Sequence, residues 1–157
     1  MRIETFVDQF PVAAPPRRVY DHLAEPTNHI GLSPLIVAVR DIERGTDPAG
    51  QQELRYVAVE RFTVAGPLHY DNILRVCQTN TVPGRRLVMR VRSPARVRVR
   101  FVMDVEPAGT GVGHDPGTVV TVSVTLQMPT LLRSYVVRTA RKVQMFRART
   151  LAERMSC

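Results

Sequence analysis

Hydrophobic and polar residues alternate along most of this chain with the period of two that marks half-buried strands, and the period turns helical in two places. The alternation is cleanest over Arg96–Glu106. There Val97, Val99, Phe101, Met103 and Val105 fall on one side and Arg96, Arg98 and Arg100 on the other. Leu87, Met89 and Val91 share the apolar side across the Ser93-Pro94-Ala95 turn, and Val120, Val122, Val124, Leu126 and Met128 carry it into the last strand. The pattern predicts strands over Arg2–Val12, Leu35–Arg44, Gln52–Val64, Leu68–Thr79, Arg85–Arg92, Arg96–Glu106 and Thr118–Met128. Turn clusters at Gly45–Gly50, Ala65-Gly66-Pro67, Val82-Pro83-Gly84 and Ser93-Pro94-Ala95 separate them, and Pro107–Gly117 reads as a longer glycine-rich loop. Regular spacing with short turns indicates an antiparallel meander.

The first helical stretch is Arg17–Ala24. Pro16 suits its first position, where the missing N–H costs nothing. Val19, Tyr20 and Leu23 form its apolar face, and Glu25-Pro26 ends it, because a residue before proline avoids the helical region. A second short helical turn is predicted over Asn28–Leu32. The long helix runs from Thr130, read as its N-cap after Pro129, to about Met155. Leu131, Leu132, Tyr135, Val136, Ala140, Val143, Phe146 and Leu151 make its apolar arc, with Arg138, Arg141, Lys142 and Arg149 opposite. At about 1.5 Å per residue it reaches about 40 Å, enough to cross a sheet. Thr139 interrupts the arc where a purely structural helix would carry an aliphatic residue. The predicted fold class is α+β: a seven-stranded antiparallel sheet wrapped around a long C-terminal helix, with two short helices after strand 1. Such a sheet with a helix lying across it encloses space, so the layout argues for a ligand-holding cavity.

Pairing Phe62 with Tyr70 sets Glu60 beside Asn72 and Ala58 beside Leu74. Tyr56, Glu60, Phe62, Tyr70 and Asn72 then point inward. A slip of one residue would replace them with Arg55, Val57, Arg61, His69 and Asp71.

Length and composition fit this layout. The 157 residues suit one domain over 1–157, and 44% apolar with 23% charged residues is ordinary for a soluble globular protein. No apolar run approaches the roughly 20 residues that span a bilayer, and the N-terminus lacks a secretory core, so a cytoplasmic location is expected. Net charge is +8, and all but one of the 22 basic residues are arginine, Lys142 being the exception. On the outer face the fifth and sixth strands are expected to set Arg90 opposite Arg98 and Arg92 opposite Arg96, with water and counterions relieving the repulsion. Interleaved exposed aromatics, which a single-strand nucleic-acid platform needs, are missing from that face. The partners read from the sequence are therefore a small hydrophobic molecule, with weak peripheral contact with anionic surfaces and no nucleic acid, in a monomer or homodimer. Cys77 reads as a small buried hydrophobe and Cys157 as a frayed terminal thiol. His22, His29, His69 and His114 lack metal-ligand spacing, and no cofactor or metal is expected. Gly109, Gly111 and Gly113 mimic a phosphate loop, but no helix follows them.

The segment Val12-Ala13-Ala14-Pro15-Pro16-Arg17-Arg18-Val19-Tyr20-Asp21-His22-Leu23 is similar to the opening V-x-A-P-P-x-x-V-W/Y-x-x-L of the START-like superfamily, also called SRPBCC or the polyketide cyclase/dehydrase-like group. Pro83-Gly84-Arg85-Arg86-Leu87 and Gly117-Thr118-Val119-Val120-Thr121 match later features of that group, and the resemblance covers essentially the whole chain. It implies the helix-grip fold. It also implies a role in binding lipids, sterols, polyketides or hormones, or in cyclisation or dehydration, a choice that fold alone does not make.

The cavity is expected to be lined by Tyr56, Glu60, Tyr70, Asn72, Tyr135 and Thr139 as polar groups and by Phe62, Met89, Phe101, Met103, Val143 and Phe146 as apolar walls. Glu60 is the best catalytic candidate, since a carboxyl in apolar surroundings titrates high enough to move protons near neutral pH. His69 would take that place only if the register slipped. Binding of a small apolar or amphipathic molecule, lipid or polyketide-like, is the first reading. A polyketide aromatase/cyclase or dehydratase acting in the same cavity is the second.

Overall fold

A computed structural model of the protein describes residues 1–109 and 117–156. Seven antiparallel strands form one sheet: β1 (Arg2–Val12), β2 (Ile36–Thr46), β3 (Gln52–Ala65), β4 (Leu68–Val82), β5 (Arg86–Arg92), β6 (Arg98–Pro107) and β7 (Thr118–Met128). Their spatial order is β1-β7-β6-β5-β4-β3-β2, a meander from β2 to β7 with β1 returned to the far edge. Helix α1 (Pro16–Ala24) and a 3₁₀ turn at Pro26–His29 follow β1, and α2 (Arg133–Met155) closes the chain. This is the α+β architecture expected from the alternation, and the helix grip that the resemblance implies. His114, Gly111, Gly113 and Cys157 lie outside the described residues.

The apolar faces fall as the alternation predicts. Leu87, Met89 and Val91 are buried with Met103, Val105 and the even positions Val120 to Met128. β3 and β4 pair Phe62 with Tyr70, Glu60 with Asn72 and Ala58 with Leu74, so the register does not slip. The Val82–Arg85 turn, closed by Arg85 N–H to the Val82 carbonyl at 2.9 Å, puts Pro83 and then Gly84 at φ 78° in its centre. Only that order of proline and glycine fits such a turn without strain. Irregular pairings in β2, one beside Asp41 at φ 56°, bend that edge strand.

The motif residues at the start of the chain tie α1 to the sheet. Val19, Tyr20 and Leu23 are buried, and the Tyr20 hydroxyl donates to Asn80 Oδ1 at 2.8 Å. Thr118 Oγ1 donates to the Ala14 carbonyl at 2.6 Å. These contacts account for the family-like segment in terms of folding rather than ligand chemistry.

Several local expectations are corrected. The second helical turn covers Pro26–His29, not Asn28–Leu32, because Pro26 again starts a turn at its first position. Thr130 does not cap α2: Thr130–Leu132 forms a 3₁₀ turn, and Leu132 precedes α2 with no side-chain cap. Leu131 is 98% exposed rather than part of the buried arc, since the tighter turn rotates it outward. Arg96 is not in β6. It takes φ 60° inside a turn closed by Ser93 N–H to the Val97 carbonyl at 2.9 Å. That longer turn shifts the pairing, so Arg90 faces Arg100 and Arg92 faces Arg98. Cys77 is half-buried on the outer face beside Arg55 and Arg90, not in the core.

Candidate functional site

Between the concave face of the sheet and α2 lies a cavity of about 500 Å³. Inward side chains of β3 (Tyr56, Ala58, Glu60, Phe62, Val64) and β4 (Tyr70, Asn72, Leu74, Val76) line one side, with Met89, Val91, Val99, Phe101 and Leu126 from the strands beyond and Val97 from the β5–β6 turn. Helix α2 contributes Tyr135, Val136, Thr139, Ala140, Val143 and Arg147, preceded by Leu132, and His29 and Ser33 complete the wall. These α2 positions recur at three- and four-residue steps and so form one face.

The cavity has an open and a closed end. Tyr70 is 57% exposed, and Val64, Ala95 and Tyr135 are also exposed, which places the mouth at the β3–β4 and β5–β6 turns and the start of α2. Tyr56, Leu74, Val76, Met89, His29 and Arg147 are all buried at the other end. That end is tied shut from outside the cavity. Arg154 near the end of α2 donates to the carbonyls of Asn28 at 2.7 Å and Ile30 at 2.9 Å.

Among the expected lining residues, Tyr56, Glu60, Phe62, Tyr70, Asn72, Met89, Phe101, Tyr135, Thr139 and Val143 share this cavity. Met103 and Phe146 do not. Met103 is fully buried in the solid core between β5 and β7, and Phe146 sits round the helix, where Arg149 covers its ring. His69 is exposed on the hairpin arm and takes no part.

Glu60 accepts a hydrogen bond from Asn72 Nδ2 at 3.2 Å, and Asn72 Oδ1 accepts one from Ser93 Oγ at 3.2 Å. Burial pushes the Glu60 carboxyl above its ordinary pKa, against the opposing pull of the Asn72 bond and of Arg147. Burial likewise raises the Tyr56 hydroxyl, so it stays protonated.

Two buried polar residues were not among the expected set. His29 shares Nε2 with the Leu23 carbonyl at 2.9 Å, which makes Nε2 the protonated nitrogen. Burial and then the nearby Arg147 charge pull its pKa down to about 4, so the ring is neutral. Arg147 is 5% exposed. Its Nη1 donates to Gln144 Oε1 at 3.2 Å, and its guanidinium lies 4.9 Å from the Phe101 ring centre. Its Nε has no hydrogen-bond partner. The spacing Val136, Ala140, Val143, Arg147 continues the inward face of α2, so periodicity alone could have found it. His29 sits in a turn segment with no period to reveal it.

Among the described residues no group of histidine, cysteine, aspartate and glutamate could hold a metal ion, and no helix is long and apolar enough to cross a membrane.

No family model and no curated protein matches the sequence. Solved structures do match its fold. A START superfamily protein from Mycobacterium smegmatis superposes with a TM-score of 0.68 at 12% identity, over 96% of this chain and 96% of that one. The ZhuI aromatase/cyclase from Streptomyces sp. R1128 gives 0.65 at 16% identity, over 98% of this chain and 94% of that one. The di-domain ARO/CYC BexL from the BE-7585A biosynthetic pathway gives 0.67 at 16% identity over 99% of this chain, which spans about half (50%) of BexL. At these identities the likeness establishes a shared fold, the helix grip of START-like proteins and polyketide aromatase/cyclases.

Proposed function

We propose that this chain binds a small apolar or amphipathic molecule, lipid or polyketide-like, in the cavity between the sheet and α2. The observation that carries this reading is the cavity itself: about 500 Å³, open at one end, with apolar walls and a few polar groups at fixed places. That is how small-molecule sites are built. Binding without chemistry is the favoured form of it. His29 is engaged with the Leu23 carbonyl, and the Asn72 amide is occupied on both sides by Glu60 and Ser93, as expected of groups that shape a site.

One observation favours a second reading, an aromatase/cyclase or dehydratase. Glu60 is a half-buried carboxyl held toward its neutral form in an apolar cavity. In that reading its ionised form takes the proton from a carbon between two carbonyls. The enolate carbon then bonds to a distant carbonyl carbon, whose oxygen takes that proton back to become a hydroxyl. Glu60 next takes the second proton from the same carbon and passes it to the departing hydroxyl, so that a C=C bond forms as water leaves.

Native mass spectrometry of the purified protein tests the binding reading. It should retain a small molecule or take up an added apolar probe at one to one. Failure of any apolar probe to saturate would sink both readings. Turnover of a poly-β-ketone by the wild type, lost in Glu60→Gln with binding intact, would select the second.

A further inference from the structure

We infer that the molecule held in this cavity is an amphipathic acid, bound with a carboxylate against the Arg147 guanidinium at the closed end and its apolar body running back toward Tyr70 and Tyr135. The inference rests on the binding reading above and adds the chemical class and orientation of the ligand.

The first support is the state of Arg147. It lines the cavity, is almost fully buried and forms no ion pair among the described residues. A guanidinium carries five N–H donors and no acceptor. Here one nitrogen reaches a neutral amide oxygen, Gln144 Oε1, and Nε reaches nothing. A buried cation in that condition is costly unless paired and hydrogen-bonded. Burial lowers its pKa to about 10, which still leaves it charged at neutral pH.

The second support is its surroundings. His29 is neutral and Tyr56 is protonated, so neither supplies a negative charge at the closed end. Glu60 is near enough for its charge and that of Arg147 to favour each other, but its carboxyl is hydrogen-bonded to Asn72 and makes no ion pair with the guanidinium. Phe101 offers only the face of its ring. The closed end is therefore positive, with donor capacity left over. A carboxylate matches the planar fork of a guanidinium and supplies the missing charge, which a hydroxyl or an ester does not.

The third support is the shape. From Tyr135 to Arg147 the lining face of α2 extends about 18 Å at ~1.5 Å per residue. Between these ends it presents Val136, Thr139, Ala140 and Val143, all apolar but the threonine. The gradient from a charged end to an apolar barrel to an exposed mouth is that of a single-headed amphiphile.

The test uses matched probes on the full chain at neutral pH: dodecanoate, dodecanol and methyl dodecanoate, each measured by calorimetry. The wild type should prefer dodecanoate over both neutral probes by about tenfold or more. Arg147→Met, similar in volume and without the charge, should lose that preference while still binding dodecanol. Arg147→Lys should keep part of it, because charge remains and the fork is gone. Equal affinity of the wild type for acid and alcohol would overturn the inference and leave the binding reading standing. So would an undiminished acid preference in a folded Arg147→Met protein. Failure of all three probes would instead overturn the binding reading and this inference with it. The wild-type comparison needs no variant, so misfolding of Arg147→Met leaves the inference open to refutation.

Discussion

Asn72 Nδ2 donates to Glu60 Oε1 across 3.2 Å, from directly facing positions on β4 and β3. Ser93 Oγ, at the end of β5, fixes the other side of the same amide. The carboxyl is thus aimed by two neighbouring strands and a turn rather than by an opposite charge. Desolvation is the larger influence on it and the hydrogen bond the smaller, so its pKa moves up.

The first prediction is the titration of Glu60. An NMR titration should place its carboxyl above the ordinary value of 4.5. The folded state then holds the proton more tightly than the unfolded chain. Glu60 favours folding below 4.5, and that contribution is lost as pH rises through the folded-state value. Glu60→Gln keeps an acceptor for Asn72 and removes the buried charge, so it should raise the melting temperature at neutral pH. A normal, solvent-like pKa for Glu60 would remove the case for proton transfer and leave binding untouched.

A second prediction concerns Thr139. It lies in the middle of the α2 face that roofs the cavity, between Val136 and Val143. Thr139→Trp fills that space with an indole, and the variant should lose at least tenfold in affinity for an apolar fluorescent probe while keeping the wild-type circular dichroism. A folded variant that binds undiminished would show that the probe sits elsewhere.

Much of this site was legible in the sequence, for a definite reason. Strand alternation has a period of two, so one correct pairing, Phe62 with Tyr70, sends Tyr56, Glu60 and Asn72 inward together. Thr139 stood out because a small polar residue broke an apolar helical stripe. The errors have physical causes as well. Met103 has the same inward parity as Phe101, but the sheet packs solidly around it near α1, and parity carries no information on depth. Arg147 does not stand out in the sequence, since arginine is rarely buried, although its position on the helix face is inward. The β5–β6 pairing departs from the one the alternation predicts because Arg96 adopts a left-handed backbone in the turn, which a non-glycine residue seldom does.

The third prediction is acid sensitivity from His29. Its ring is neutral in the folded state, with a pKa near 4, against 6.5 in an open chain. The unfolded chain takes up a proton as pH falls below 6.5, and the folded chain does so only near 4. Stability contributed by the neutral ring is fully present above 6.5 and is lost as pH falls toward 4, by on the order of 3 kcal/mol at most. Denaturant midpoints measured across this window should fall with pH in the wild type. His29→Gln retains an N–H for the Leu23 carbonyl and does not titrate, so its slope should be shallower. His22, also shifted down by burial and by Arg154, supplies a residual slope in both proteins. An identical pH dependence in the two would show that His29 is not the group responsible.

The last prediction follows from the convex face. Arg92 has Arg75 opposite it on β4 and Arg98 opposite it on β6, and Arg90 faces Arg100 in the next row but one. Directly facing like charges destabilise a sheet by roughly 0.2–1 kcal/mol each, and opposite charges stabilise it by a similar amount. Arg92→Glu turns two repulsions into two attractions on an exposed surface that packs against nothing in the core. The variant should therefore be more stable than the wild type at low ionic strength, by about 1 kcal/mol. Salt screens exposed charges over about 10 Å at 0.1 M, so added salt should stabilise the wild type and narrow the gap. Urea unfolding of both proteins at low and high ionic strength measures this directly. A wild type indifferent to salt, or an Arg92→Glu protein less stable at low salt, would mean that the arginine side chains splay far enough into solvent for their backbone pairing not to matter.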